Sequence, residues 1–160
     1  MWKHLHLLRD FDYVGEHHYL LTWCCEGREP VFTEPDRVDL VRQQILRACH
    51  ESEFEVIADC FMLDHVHKLV RGRTPTADGR KFIHRAKQYS GFYFKKAFKQ
   101  RLWQRYGHDR FVRNDGDVKP IVRYIIENPV RAGLVTRVED YPFIGSHVYT
   151  REELIQWTYS

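Results

Sequence analysis

The stretch FEVIADCFMLDHVHKLVRG, residues 54–72, constrains the fold most. Two apolar runs, 54–62 and 65–72, have only Leu63 and Asp64 between them, and Gly72 stops the second. A parallel pair needs a crossover of a dozen residues or more, so strands joined by so short a turn pair antiparallel. The segments around this hairpin alternate in period. EHHYLLTWCCEGR (16–28) is aromatic and β-branched enough for a first strand, ended by Gly27. TEPDRVDLVRQQILRACHES (33–52) has an acidic start, an early Pro35, and apolar residues at Val38, Leu40, Val41, Ile45, Leu46 and Cys49, a helical spacing. After the loop TPTADG, Gly79 opens a long basic helix over about 80–100, with Gly91 weakening its middle. DRFVRN (109–114) reads as a fourth strand, and DGDVKPIVRYIIENP (115–129) as a helix whose acids suit its N-terminal dipole. The order strand, helix, strand, strand, helix, strand, helix is that of an α+β, ferredoxin-like βαββαβ fold. Its antiparallel sheet carries two helices on one face, and the last helix is available to cover the other.

A chain of 160 residues fits one domain. The core is expected over about 16–135, with 136–160 as a C-terminal arm. No window approaches the run of about 20 apolar residues that spans a bilayer, so no membrane role is expected. The start MWKHLHLLRDFDY is too short and too charged for a signal peptide. Cys24, Cys25, Cys49 and Cys60 form no CxxC pair and read as buried, reduced thiols of a cytosolic protein.

Net charge is +3, yet from Arg80 to Arg110 ten Lys or Arg face a single acid, Asp109. Tyr89, Phe92, Tyr93, Phe94, Phe98, Trp103 and Tyr106 are interleaved with them. Cations beside aromatics suit a phosphate backbone and unstacked bases. Arg80, Lys81 and Lys87 are the residues expected to track DNA, with Lys95, Lys96 and Lys99 further along the helix. An amphipathic helix that packs its aromatics inward satisfies the same pattern, and both can hold on opposite faces.

Two His-x-His pairs occur, His4/His6 and His65/His67, and ten histidines make a chance pair unsurprising. On a strand, residues two apart share a face, so His65 and His67 could hold one ion. His4 and His6 precede any clear strand. A third ligand must come from elsewhere, and YIIENP offers one: Tyr124 and Asn128 lie four apart on one helix face, an amide oxygen beside a phenol. A half-buried packing tyrosine and an Asn-Pro helix cap account for those two residues equally well.

The combination resembles the HUH single-tyrosine transposases, and within them the REP-associated tyrosine transposases. HHYLLTWCCEGREPVF, CFMLDHVHKLV, LWQRYGHDRFVRND, YIIENPVRAGLV and YPFIGSHVY match family segments in order, over about 17–149. The resemblance implies that His65, His67 and Asn128 hold Mg²⁺ or Mn²⁺ and that Tyr124 is the nucleophile. It implies cleavage and rejoining of single-stranded DNA carrying hairpin, REP-like elements through a 5′-phosphotyrosine, by a monomer or homodimer on the nucleoid in the cytoplasm. Two other readings stand beside it: a domesticated, non-catalytic hairpin binder, and an HUH replication or relaxase-type nickase, whose tyrosine is not expected in a Tyr-x-x-x-Asn-Pro setting. A histidine-triad hydrolase is excluded because Leu69 stands where a third histidine is needed. The chain departs from the family at Leu63-Asp64 in place of Pro-Asn, at Lys68 in place of an apolar residue, and at KKAFKQR before Leu-Trp. A further departure is Phe143–Ser146 in place of Trp-Ser-Ser.

Overall fold

A computed structural model describes residues 2–4, 12–112 and 116–160. The elements in chain order are β1 (Trp2–His4), β2 (His18–Cys24), α1 (Pro35–Ser52), β3 (Phe54–Phe61), β4 (His65–Gly72), α2 (Gly79–Phe98), β5 (His108–Val112), α3 (Lys119–Ile126), α4 (Asn128–Arg131), β6 (Ile144–Gly145) and α5 (Arg151–Thr158). The strands form one sheet in the order β1-β5-β2-β4-β3-β6, and every neighbouring pair is antiparallel. Its four central strands, β5-β2-β4-β3, carry the ferredoxin-like arrangement expected from the order of periods.

Alternation along the strands sorts side chains between two cores. Tyr19, Leu21 and Trp23 of β2 join Val66 and Val70 of β4 beneath α1 and α2, with Phe82 and Phe94 pressed down from α2. Leu20 and Leu69 point the other way, onto Val122, Ile125 and Ile126 of α3. The register of β3 shifts between Val56 and Ala58. Phe54 and Val56 before the bulge therefore share a face with Phe61 after it, while Ala58 and Cys60 face α3. The last helix does cover the second face.

Local chemistry sets the ends of α2. The Asp78 carboxylate accepts from the backbone N–H groups of Arg80 and Lys81 and caps its start. At Gly79 a Cβ would stand 2.6 Å from the Tyr19 hydroxyl, so a glycine is needed where the helix meets β2.

Several features depart from the sequence expectation. β1 adds an outer strand against β5, so His4 does end a strand; His6 lies outside the described residues. β5 ends at Val112, and Arg113 and Asn114, expected to extend it, also lie outside them. The helix expected over 115–129 is two helices that break at Glu127. Pro129, one residue into α4, lacks the N–H that a continuous helix would need there. Residues 136–160 do not stand apart as an arm: β6 pairs with β3, and Val138, Tyr141, Ile144 and Leu154 complete the second core. All four cysteines are buried free thiols, and burial pushes Cys25 and Cys49 up to about 12. Among the described residues no helix is long and apolar enough to cross a membrane.

Candidate active site

β4 presents His65 and His67 on the face that α3 covers, since Leu69 of the same alternation packs into the second core. In register, His67 lies opposite Thr22 and His65 opposite Cys24. The two imidazoles meet edge to face with ring centroids 4.8 Å apart. Each ties its Nδ1 to a neighbour: His67 Nδ1 lies 2.9 Å from Thr22 Oγ1, and His65 Nδ1 lies 2.7 Å from Asp64 Oδ1. The other Asp64 oxygen accepts from Arg28 Nε at 2.8 Å. Partial burial works against the Asp64 carboxylate, but hydrogen bonds from His65 and Arg28 outweigh it and hold the group below its usual range. Both rings are thereby oriented through one nitrogen, the outer-shell pattern of metal-ligating histidines, with Nε2 left for a ligand. His67 is 9 % exposed. Burial first, then the nearby His65, Lys68 and Arg131 charges, push its pKa down to about 3, so it is neutral at physiological pH with a lone pair to give.

Tyr124 rides on the flank of α3 whose inner side is Val122, Ile125 and Ile126. It is 50 % exposed, and its ring centroid lies 6.0 Å from that of His67. The break at Glu127 turns the chain so that Arg131 of α4 folds back over the tyrosine. Its Nη2 donates to the Tyr124 carbonyl at 2.6 Å, and its guanidinium carbon stands 4.4 Å from the ring centroid. Asn128 begins α4, partly buried, one turn beyond Tyr124. Its carbonyl accepts from the Ala132 N–H, and among the described residues its amide side chain makes no hydrogen bond. Among the described residues no group of three or more His, Cys, Asp or Glu is placed to hold a metal. Next to Tyr124 lies a cavity of about 420 Å³ lined by Leu20, Arg110, Pro120, Ile121 and the tyrosine itself.

The basic helix α2 lies across the sheet from this constellation. Arg80, Lys81, Lys95, Lys96 and Lys99 are exposed, and Lys87 is half-buried with its Nζ 5.2 Å from the Trp23 ring centroid. Most of the interleaved aromatics are committed to packing. Tyr89 and Tyr93 lie beneath Arg47 of α1, Phe94 is buried, and Phe98 stands under Arg37. Trp103 is buried and donates to Ser90 Oγ at 2.9 Å. Phe92, 62 % exposed, and Tyr106, 77 % exposed, remain open to a base. A groove of about 380 Å³ runs between α2 and residues 101–105, flanked by Lys87, Lys95, Arg101 and Arg105. It reaches the end of the sheet where His65 stands: Gln104 donates its N–H to the carbonyl of Cys24, the residue opposite His65.

The family model described as "Transposase IS200 like" matches residues 13–128, from just before β2 to Asn128. The chain belongs to the IS200-like transposase family. A curated Haemophilus influenzae relative, named as a REP-associated tyrosine transposase, is 28 % identical over 159 residues, covering 91 % of this chain and 88 % of the relative. Among solved structures, a REP-associated tyrosine transposase bound to a REP hairpin aligns with TM-score 0.70 at 24 % identity, over 85 % of this chain and 79 % of that one. A Deinococcus radiodurans transposase aligns with TM-score 0.54 at 23 % identity, over 75 % and 95 %. These two share the fold.

In this IS200-like transposase, the structure brings His65, His67 and Tyr124 together and sets Asn128 at the adjoining helix start. Thr22, Asp64, Arg28, Arg131 and Arg110 escaped the sequence reading. Only the β2–β4 register could have revealed Thr22, and Asp64 looked like a turn residue. Arg131 stands in the matched stretch YIIENPVRAGLV, but its fold-back depends on the break at Glu127.

Proposed function

We propose that this IS200-like transposase is a REP-associated tyrosine transposase that cuts and rejoins hairpin-bearing single-stranded DNA, with Tyr124 as nucleophile and a divalent ion held by His65, His67 and Asn128. The observation that carries the reading is the meeting of the His65/His67 pair, each ring oriented through Nδ1, with the half-exposed phenol of Tyr124. The donors suit the ion: two imidazoles with Nδ1 already engaged, plus an uncommitted amide, leave room for water and phosphate, as Mg²⁺ or Mn²⁺ prefers. When bound, the ion supplies Lewis-acid polarisation of the phosphoryl oxygen and stabilises developing negative charge.

The chain's own residues supply the rest. The Tyr124 phenol loses its proton to solvent and its oxygen bonds to phosphorus. The bond from phosphorus to the 3′ oxygen breaks, and that oxygen leaves with a proton as a free 3′-hydroxyl. The 5′-phosphotyrosine keeps the ester bond, so a second 3′-hydroxyl can reverse the step and join strands without ATP. Arg131 fixes the ring and backbone of Tyr124, and Thr22 and Asp64 hold the two imidazoles. Lys87, Lys95, Arg101 and Arg105, with Arg80, Lys81, Lys96 and Lys99 beside them, give the phosphate backbone a path toward the His65 end of the sheet. A hairpin partner accords with the REP hairpin in the structurally similar transposase, and a nucleoid location belongs to the same proposal. Tyr-x-x-x-Asn-Pro and the IS200-like match favour a transposase over a replication nickase. Incubation with hairpin oligonucleotides and Mn²⁺ should give a covalent adduct on a denaturing gel. Tyr124→Phe should still bind DNA and give none. An adduct with the Phe variant would refute the assignment, and a wild-type protein that binds hairpins without forming an adduct would be the non-catalytic binder.

A further inference from the structure

The ion ligands and DNA-tracking cations proposed above leave the cavity beside Tyr124 unassigned. Leu20 of β2 lies opposite Arg110 of β5 in register, so the two share the sheet face of Thr22 and of the histidine pair. Pro120 and Ile121 come down from the first turn of α3, and Tyr124, one turn on, lines the open cavity with them. Three walls are therefore apolar, one is a phenol ring, and one is a guanidinium. Among the described residues no carboxylate or carbonyl pairs with Arg110. At about 420 Å³ the cavity falls in the range of roughly 300–1,000 Å³ typical of ligand sites.

We propose that this cavity is a nucleotide subsite: it takes the unstacked base of the nucleotide adjoining the scissile phosphate, and Arg110 holds that nucleotide's own phosphate. The inference rests on the transposase reading, because it assumes a phosphate at the Tyr124 hydroxyl. The Tyr124 ring lies 6.0 Å from that of His67 and also lines the cavity, so a nucleotide next to a phosphate at the phenol comes within reach of the cavity. A base that leaves its stack loses contact with its neighbours and regains it against Leu20, Pro120, Ile121 and the tyrosine ring, contacts that favour no particular base. The Arg110 fork matches two phosphate oxygens. Arg110 is in this account a positioning residue: it sets which bond reaches the phenol and makes none itself.

The test is binding in the Tyr124→Phe background, where cleavage does not interfere. Affinity for a single-stranded oligonucleotide spanning the cut site is read by anisotropy across a salt series. A second oligonucleotide is abasic at the adjoining nucleotide. Each phosphate contact on single-stranded DNA contributes about 0.7 to the slope of log affinity against log salt. Arg110→Met, which keeps an aliphatic stem, should lower affinity roughly three- to tenfold near 0.1 M salt and reduce the slope by about 0.7. Arg110→Lys should restore the slope and only part of the affinity. Ile121→Trp, which fills the cavity, should weaken the intact oligonucleotide and leave the abasic one unchanged. Normal DNA binding with an unaltered slope in Arg110→Met, or equal losses on both oligonucleotides in Ile121→Trp, would overturn the subsite while leaving the transposase reading standing. A parent protein that binds no single-stranded DNA would overturn both.

Discussion

Lys68 occupies a position where an apolar residue was expected, and replacing it with methionine should make the protein more stable. The side chain is 1 % exposed, its Nζ lies 3.2 Å from the Trp23 ring centroid, and among the described residues Nζ has no hydrogen-bond partner. Burial, with Lys87 adding to it, drives the amine well below the ordinary lysine value, and Asp109 and Asp59 offset this only in part. A buried polar group without a partner costs about 1–3 kcal/mol. The cation–π attraction of about 2 kcal/mol requires the charged form that burial disfavours. Methionine keeps the stem and gives up one heavy atom, a void costing roughly 1 kcal/mol at most. The net gain at pH 7 should be about 1–2 kcal/mol, or roughly 2–8 °C in Tm for a chain of this size. With its folded pKa depressed, the unfolded lysine binds more protons, so wild-type stability rises with pH up to the unfolded value of about 10.4. Lys68→Met lacks this rise. Its advantage should shrink between pH 7 and 9.5, by at most about 1.4 kcal/mol per pH unit. Guanidinium melts of both proteins at the two pH values measure this, and cysteine titration, common to both, cancels in the difference. A variant less stable than wild type at pH 7 would show that the amine is charged and well solvated by Trp23 and its neighbours, and the reasoning would fail.

Three further outcomes are expected. His65→Ala and His67→Ala should each abolish metal-dependent cleavage in the adduct assay while His4→Ala leaves it intact; equal loss at His4 would mean the wrong pair was chosen. Thr22→Val removes the hydroxyl on His67 Nδ1 at unchanged shape and should weaken metal affinity or activity about 10- to 100-fold, read by a Mn²⁺ titration of cleavage, with an unaltered titration refuting the orienting role. Hairpin-bearing single strands should bind and be cut with affinity falling steeply as salt rises, and a blunt duplex of the same sequence should be ignored; equal cleavage of the duplex would refute the single-strand reading.

The alternation of apolar residues along 54–72 and the helical spacing of 33–52 were enough to order the elements and imply the antiparallel sheet, because period is a property of a few adjacent residues. The same local information put His65 beside His67 and Tyr124 four residues before Asn128. It could not tell which of the two covered sheet faces the histidines would join. Only the folded chain turned His65 and His67 toward α3 and Lys68, the residue after His67, toward Trp23 on the other face. It also committed Tyr89, Tyr93, Phe94, Phe98 and Trp103 to packing, which the pattern of α2 left open. Thr22 on His67, Asp64 between His65 and Arg28, and Arg131 over Tyr124 come from strand register, a tight turn and a helix break. Those contacts join residues whose partners are chosen by long-range pairing, and long-range pairing leaves no period in the sequence to read.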